Sequence, residues 1–173
     1  MPTILFLCTA NRFRSPLAEA FMREKINEKP DSGEWVIESA GTWTQDGMPA
    51  LSQTLQVAQY FGLDLKDHRS KQVTAELLSR ADLVLVMESG HLEALQIEFP
   101  DQSTKIHLLS QVVDGNAYGI PDPYAGGGKQ EREIAIELHD VIARGANKII
   151  RMAKTNHKNR TKKSTKKSAK RSS

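Results

Sequence analysis

The sequence predicts an α/β fold: one domain built on a four-stranded parallel sheet with helices on both faces. Three observations carry this. Four short apolar runs alternate along the chain with segments of helical period. The third run, residues 81–87 (ADLVLVM), is continuously apolar and rich in Val and Leu after its aspartate, as suits a strand covered on both faces. A chain of 173 residues with 39% hydrophobic side chains is long enough for one domain with a real core.

Taken in order, residues 3–7 (TILFL) read as a buried first strand, too short to span a membrane and without the basic leader of a signal peptide. Ser15-Pro16 then opens a helix, with Pro where no amide hydrogen bond is owed. Leu17, Phe21 and Met22 give that helix an apolar face toward Ile26, and the cluster KPDSGE stops it. Residues 35–41 (WVIESAG) form the second strand. Residues 49–62 place Leu51, Leu55 and Ala58 at helical spacing, with Gly62 as the stop. The third strand leads into a helix from about Glu88 to Phe99, and residues 105–110 (KIHLLS) form the fourth strand. A Gly/Pro-rich loop covers residues 112–128. The last helix starts near Lys129, with Ile134, Leu138, Val141, Ile142 and Ile149 on one stripe.

Charge divides the chain in two. Residues 154–173 hold nine Lys or Arg and no acid, so the other 15 basic residues face all 21 acidic ones. The expected organisation is therefore a slightly acidic domain over residues 1–153 and a disordered basic tail over 154–173, whose composition cannot bury enough surface to fold. Such a tail suits nonspecific contact with a polyanion, nucleic acid or anionic lipid. The single cysteine makes no demand for an oxidising compartment, and a cytoplasmic location follows as the expectation.

In an open parallel sheet, ligands bind beyond the carboxyl ends of the strands. There lies FLCTANRFRSP, residues 6–16. A strand-loop-helix junction aims successive amides and the positive end of the helix at the space above the loop, which suits an oxyanion. Cys8 shares that field with Arg14, and both the field and the guanidinium favour a nucleophilic thiolate. Arg14 offers a planar fork able to hold two phosphate oxygens at once. A lone cysteine after an apolar strand is ordinarily an inert buried residue; here the spacing Cys, five residues, Arg, Ser, Pro argues for chemistry. The fold reading thus includes a phosphate-binding loop after strand 1. Without Gly-Lys-Ser/Thr the loop is not that of a nucleotide hydrolase.

These residues resemble a known family. CTANRFRSPLAEA is similar to the signature loop and first helix of the low-molecular-weight protein tyrosine phosphatases, and DPY at 122–124 is similar to their acid loop. ESAGT at 38–42, DHRSKQVT at 67–74 and DLVLVME at 82–88 follow in the family's order, so the resemblance covers roughly residues 3–150. It implies a metal-independent protein-tyrosine-phosphatase with a phosphocysteine intermediate, no cofactor, a phosphotyrosine protein as substrate and inorganic phosphate as product. Cys8 is then the nucleophile and Arg14 the phosphate clamp. Thr9, Ala10, Asn11, Arg12, Phe13 and Ser15 complete the loop, with Ser15 on the thiolate, Asn11 holding a strained shape, and Ser39 and His68 supporting Asn11. Asp122 is implied as general acid and base, a role that a mobile Gly/Pro-rich loop over the anion suits. His91, His107, His139 and His157 lack metal-ligand spacing and read as ordinary histidines.

Ala10 stands where the family usually has Gly, and Phe13 where many members carry a second cysteine. Arg12, Trp43 and Tyr124 are expected at the substrate mouth, with the two rings as walls for a phosphotyrosine ring. Members acting on phosphoarginine tend to have Thr at the position of Arg12, and a cation there repels a guanidinium. Protein arginine phosphatase and a non-enzymatic polyanion-binding adaptor remain the alternatives. An arsenate reductase would need relay cysteines that the chain lacks.

Overall fold

The computed structural model of the chain describes residues 1–125 and 130–169. Strands β1 (Thr3–Cys8), β2 (Val36–Gly41), β3 (Leu83–Val86) and β4 (Ile106–Leu108) form one sheet in the order β2-β1-β3-β4, every pairing parallel. Helices α1 (Arg14–Asn27), α2 (Ser52–Tyr60), α3 (Ala75–Arg80), α4 (Ser89–Glu98), α5 (Leu109–Asp114) and α6 (Glu131–Ala169) surround it.

Alternation along β1 explains the two layers. Ile4, Phe6 and Cys8 face a core shared with Leu17, Phe21 and Met22 of α1 and Ile134, Leu138 and Ile142 of α6. Leu5 and Leu7 face the opposite core, with Leu78 of α3 and Leu95 of α4. With both faces covered, the strands can be apolar at every position, as their sequences are. From β1 the chain passes to β2 on one side and then crosses to β3 on the other. The carboxyl ends of β1 and β3 therefore flank a crevice at the point where the winding reverses.

Three features depart from the sequence reading. Residues 75–80 form α3, too short for a visible period. Its start is marked by Thr74, whose hydroxyl accepts the Leu77 amide at 3.1 Å. The fourth strand ends at Leu108, and residues 109–114 wind into α5, burying Leu109 and Val112 before Gly115 at φ 78° ends the helix. The expected start of the last helix near Lys129 lies outside the described residues.

The third departure lies at Lys154. Helix α6 runs through it without a break, and residues 154–160 dock on the body of the protein. Lys154 pairs with Asp31 and lies over the Trp35 ring. Arg160 donates to both oxygens of Asp82 at 2.7 and 3.3 Å, His157 sits 3.0 Å from the same carboxylate, and Asn156 donates to the Asp82 carbonyl. The physical reason is Asp82 itself. Its side chain is 0% exposed at the amino end of β3, where it also accepts the Thr3 amide at 2.9 Å. A buried carboxylate needs compensation, and the basic segment supplies it. Composition alone describes what a segment can bury by itself and omits what another element asks of it. Among the described residues no helix is long and apolar enough to cross a membrane.

Burial alone would raise the pKa of Asp82, but hydrogen bonds from Arg160, Thr3 and His157 and the charge of Arg160 outweigh it and hold the group below its ordinary value. Because the folded value is depressed, the stabilisation is fully present above the unfolded pKa of about 4 and is lost as pH falls through the folded value. Asp82→Ala is accordingly expected to cost about 2–3 kcal/mol in urea unfolding at pH 7. The gap from the unsubstituted protein should close only in strong acid; equal stabilities at pH 7 would contradict the assignment.

Candidate active site

Cys8 closes β1 and is 3% exposed. Its register partner on β2 is Gly41, where a Cβ would lie 2.5 Å from the Thr9 carbonyl oxygen. Only glycine lets β2 approach the loop so closely, which accounts for the Gly of ESAGT. The Thr42 and Trp43 amides then donate to the Cys8 and Thr9 carbonyls at 2.9 and 3.0 Å, carrying the strand pairing into the loop.

The loop turns at Asn11, at φ 54°, the one non-glycine residue with positive φ among those described. Ala10 has no positive φ, so its methyl group meets no left-handed backbone there. Asn11 is 0% exposed and its amide is fully used. It accepts the Lys71 amide at 3.0 Å and donates to Ser15 Oγ and Ser39 Oγ, both at 2.9 Å. The Ser39 hydroxyl donates in turn to Glu19 Oε2 at 2.6 Å, and His68 Nε2 lies 2.7 Å from the Asn11 carbonyl oxygen. Ser15 Oγ is 3.0 Å from Cys8 Sγ. That hydroxyl accepts from Asn11 and has two places for its own hydrogen, the Ala40 carbonyl at 3.3 Å and a sulfur anion on Cys8. Sequence-named Ser39, His68, Asn11 and Ser15 thus form one network behind Cys8.

Arg14, in the first turn of α1, is 2% exposed. One guanidinium nitrogen, Nη1, donates to Glu88 Oε2 at 2.7 Å and the Ile120 carbonyl at 3.0 Å. The other, Nη2, donates to Asp122 Oδ2 at 2.7 Å and lies 3.4 Å from Thr9 Oγ1. The second oxygen of Asp122 accepts the Tyr124 amide at 3.0 Å. An oxyanion that takes the fork of Arg14 therefore competes with Asp122, and a displaced Asp122 carboxyl is left beside whatever the anion is bonded to.

Two site residues escaped the sequence reading. In the sequence Glu88 reads only as a helix start, and His91 as an ordinary histidine. His91 Nε2 lies 2.9 Å from Thr9 Oγ1 and 3.7 Å from Glu88 Oε2. Burial, then the Arg14 charge, lower its pKa against the pull of Glu88 and Asp122. The signal was available: both residues directly follow the third strand, at the same carboxyl edge that singled out Cys8.

Around the mouth, Trp43 is 79% exposed and has no share in the core, while Tyr124 is 48% exposed and meets the edge of Phe13 at 6.0 Å between centroids. Burial and the carboxylates of Glu131 and Asp122 push the Tyr124 phenol up to about 12, so it stays a neutral donor. Arg12 donates to the Pro49 carbonyl at 2.8 Å and its own carbonyl accepts the Thr54 hydroxyl at 2.8 Å, fixing its position at the rim.

Comparison with known proteins gives concordant results. The family model described as low molecular weight phosphotyrosine protein phosphatase matches residues 3–163. A probable low molecular weight protein-tyrosine-phosphatase, EpsP, of Ralstonia nicotianae is 35% identical over 145 residues, 84% of this chain and 91% of its own. A protein-arginine-phosphatase of Geobacillus stearothermophilus is 34% identical over 146 residues, 84% of this chain and 95% of its own. Among solved structures, the tyrosine phosphatase Wzb of Escherichia coli in complex with sulphate superposes with a TM-score of 0.74 at 33% identity, covering 85% of this chain and 97% of its own.

Asn11 generates a prediction. Asn11→Ala removes three hydrogen bonds, two of them buried, and leaves a methyl group at φ 54°. A loss of about 3 kcal/mol is expected in chemical unfolding. Asn11→Gly should recover only the backbone share, about 1 kcal/mol; full recovery by Gly would mean that the side chain's bonds contribute nothing.

Proposed function

The chain belongs to the low molecular weight phosphotyrosine protein phosphatase family, and on that premise we propose that it hydrolyses protein phosphotyrosine through a phosphocysteine on Cys8. The observation that carries this reading is the gathering of three groups at the carboxyl end of β1. These are Cys8 Sγ with Ser15 Oγ at 3.0 Å, the buried Arg14 fork, and Asp122 on that fork at 2.7 Å.

The chemistry follows from the positions. Arg14 and the loop amides hold the phosphoryl oxygens, which neutralises charge before any bond changes. Cys8 thiolate attacks phosphorus as the ester P–O bond breaks. Displaced from Arg14 and protonated, Asp122 gives its proton to the leaving oxygen. Water then attacks the phosphocysteine while the Asp122 carboxylate takes its proton, releasing phosphate, and Ser15 steadies the departing thiolate. Glu88 keeps Arg14 neutralised when Asp122 leaves it. A chain with one thiol suits a reducing, cytoplasmic setting. Contact of residues 154–173 with a polyanion has less charge to draw on than composition suggested, because Lys154 and Arg160 already serve Asp31 and Asp82.

Substrate choice rests on Arg12, Trp43 and Tyr124. Two exposed rings suit an aromatic ester, and the Arg12 cation disfavours a guanidinium. The arginine phosphatase among the relatives makes phosphoarginine the second reading. Peptides carrying each group separate the two: phosphotyrosine turnover should exceed phosphoarginine turnover, and the reverse order would replace this reading with the other.

Cys8→Ser is expected to abolish hydrolysis of p-nitrophenyl phosphate, because a serine hydroxyl is not ionised near neutral pH. Retained turnover would rule out the covalent route. Asp122→Asn should slow hydrolysis of phenyl phosphate by about 10²- to 10⁴-fold and that of p-nitrophenyl phosphate by less, since a good leaving group needs little protonation. Equal losses on the two esters would remove Asp122 as the proton donor.

A further inference from the structure

We propose that the side-chain hydroxyl of Thr9 is a hydrogen-bond donor to the bound phosphoryl group, and that His91 is the positioning residue that makes it one. The inference rests on the phosphatase reading above and adds two side chains to it.

Thr9 Oγ1 has two nitrogen neighbours, Arg14 Nη2 at 3.4 Å and His91 Nε2 at 2.9 Å. A guanidinium has no acceptor, so toward Arg14 the threonine oxygen accepts. Toward His91 the direction depends on the tautomer, and the other ring nitrogen decides it. Nδ1 of His91 is buried without a hydrogen-bond partner among the described residues, in a residue that is 9% exposed. A buried N–H without an acceptor is rarer and costlier than an unused lone pair. The hydrogen therefore sits on Nε2 and is donated to Thr9. Burial and the Arg14 charge keep the ring in the neutral form that this tautomer requires, against the carboxylates of Glu88 and Asp122.

With both lone pairs of Thr9 Oγ1 taken, its own hydrogen is the one capacity left. That hydroxyl lies beside Arg14 Nη2, the nitrogen that also carries Asp122. When an oxyanion replaces Asp122 on Nη2, the Thr9 hydroxyl is a donor in reach of the same anion, and it cannot turn into a competing acceptor. His91 has no contact with the anion in this arrangement and acts through Thr9.

Orthovanadate binding, measured by calorimetry on the full chain, tests this without depending on turnover. Thr9→Val and His91→Leu should each weaken orthovanadate about tenfold, the usual worth of one hydrogen bond to a charged group. The double variant should be no weaker than either alone, because the two residues act as one unit. Thr9→Ser should restore most of what Thr9→Val loses. His91→Gln, which keeps an N–H at similar reach, should lose less than His91→Leu and serves if the leucine variant does not fold. A two-bond ¹H–¹⁵N spectrum should show the His91 hydrogen on Nε2. Undiminished binding by Thr9→Val, losses that multiply in the double variant, or a hydrogen on Nδ1 would each overturn the proposal. Failure of the unsubstituted chain to hydrolyse p-nitrophenyl phosphate would instead overturn the phosphatase reading.

Discussion

A guanidinium buried to 2% exposure is the constraint from which the rest of this site follows. Taking Arg14 out of water is expensive unless its charge is met at close range. Glu88 and Asp122 meet it, one on each terminal nitrogen. Those two carboxylates come from distant parts of the chain, Glu88 just past β3 and Asp122 on the segment beyond α5. The sheet order that sets β3 beside β1 is thus also what brings Glu88 to Arg14. Their roles differ. Glu88 shares Nη1 with the Ile120 carbonyl, whereas Asp122 holds Nη2. In the proposed mechanism the first stays on the guanidinium throughout and the second yields its place to the anion.

The loop obeys a second constraint, its shape. A left-handed residue at Asn11 disfavours most side chains, and the fold offsets that cost with bonds to every polar atom of the Asn11 amide. Those partners sit on α1, on β2 and on the segment before α3, so the curvature of seven residues is underwritten by three separate parts of the fold. Gly41 contributes by having no side chain, since any Cβ would push β2 off the Thr9 carbonyl.

Much of this was legible in the sequence because the signals were local. Strands covered on both faces announce themselves as continuous apolar runs, and the junction from Cys8 to Pro16 holds its spacing within one loop. Ser39 and His68 came from resemblance alone; nothing local in ESAGT or DHRS says that both will meet Asn11. What stayed hidden was non-local or short. Helices α3 and α5 have six residues each, fewer than two turns, and leave no period to read. Glu88 and His91 are unremarkable by type and gain meaning only from lying past β3 when β3 lies beside β1. The stretch from Lys154 to Arg160 reads as solvated charge until Asp82 is known to be buried beneath it.

Phe13 is buried to 5% and braced against Tyr124, where many relatives of this family carry a second thiol. That exchange trades a redox partner for a hydrophobic brace. A cysteine oxidised to sulfenic acid is rescued most readily by a neighbouring sulfur that condenses with it before further oxygen is added. Cys8 has no such neighbour anywhere in the chain. Any thiol that intercepts its sulfenate must arrive from solution, and Sγ lies at the floor of the loop in a residue 3% exposed. The competition between rescue and irreversible sulfinic acid is therefore set by how quickly a small thiol reaches that floor, so the lifetime of the activity under oxidative stress depends on the thiol content of its surroundings and not on any sulfur of its own.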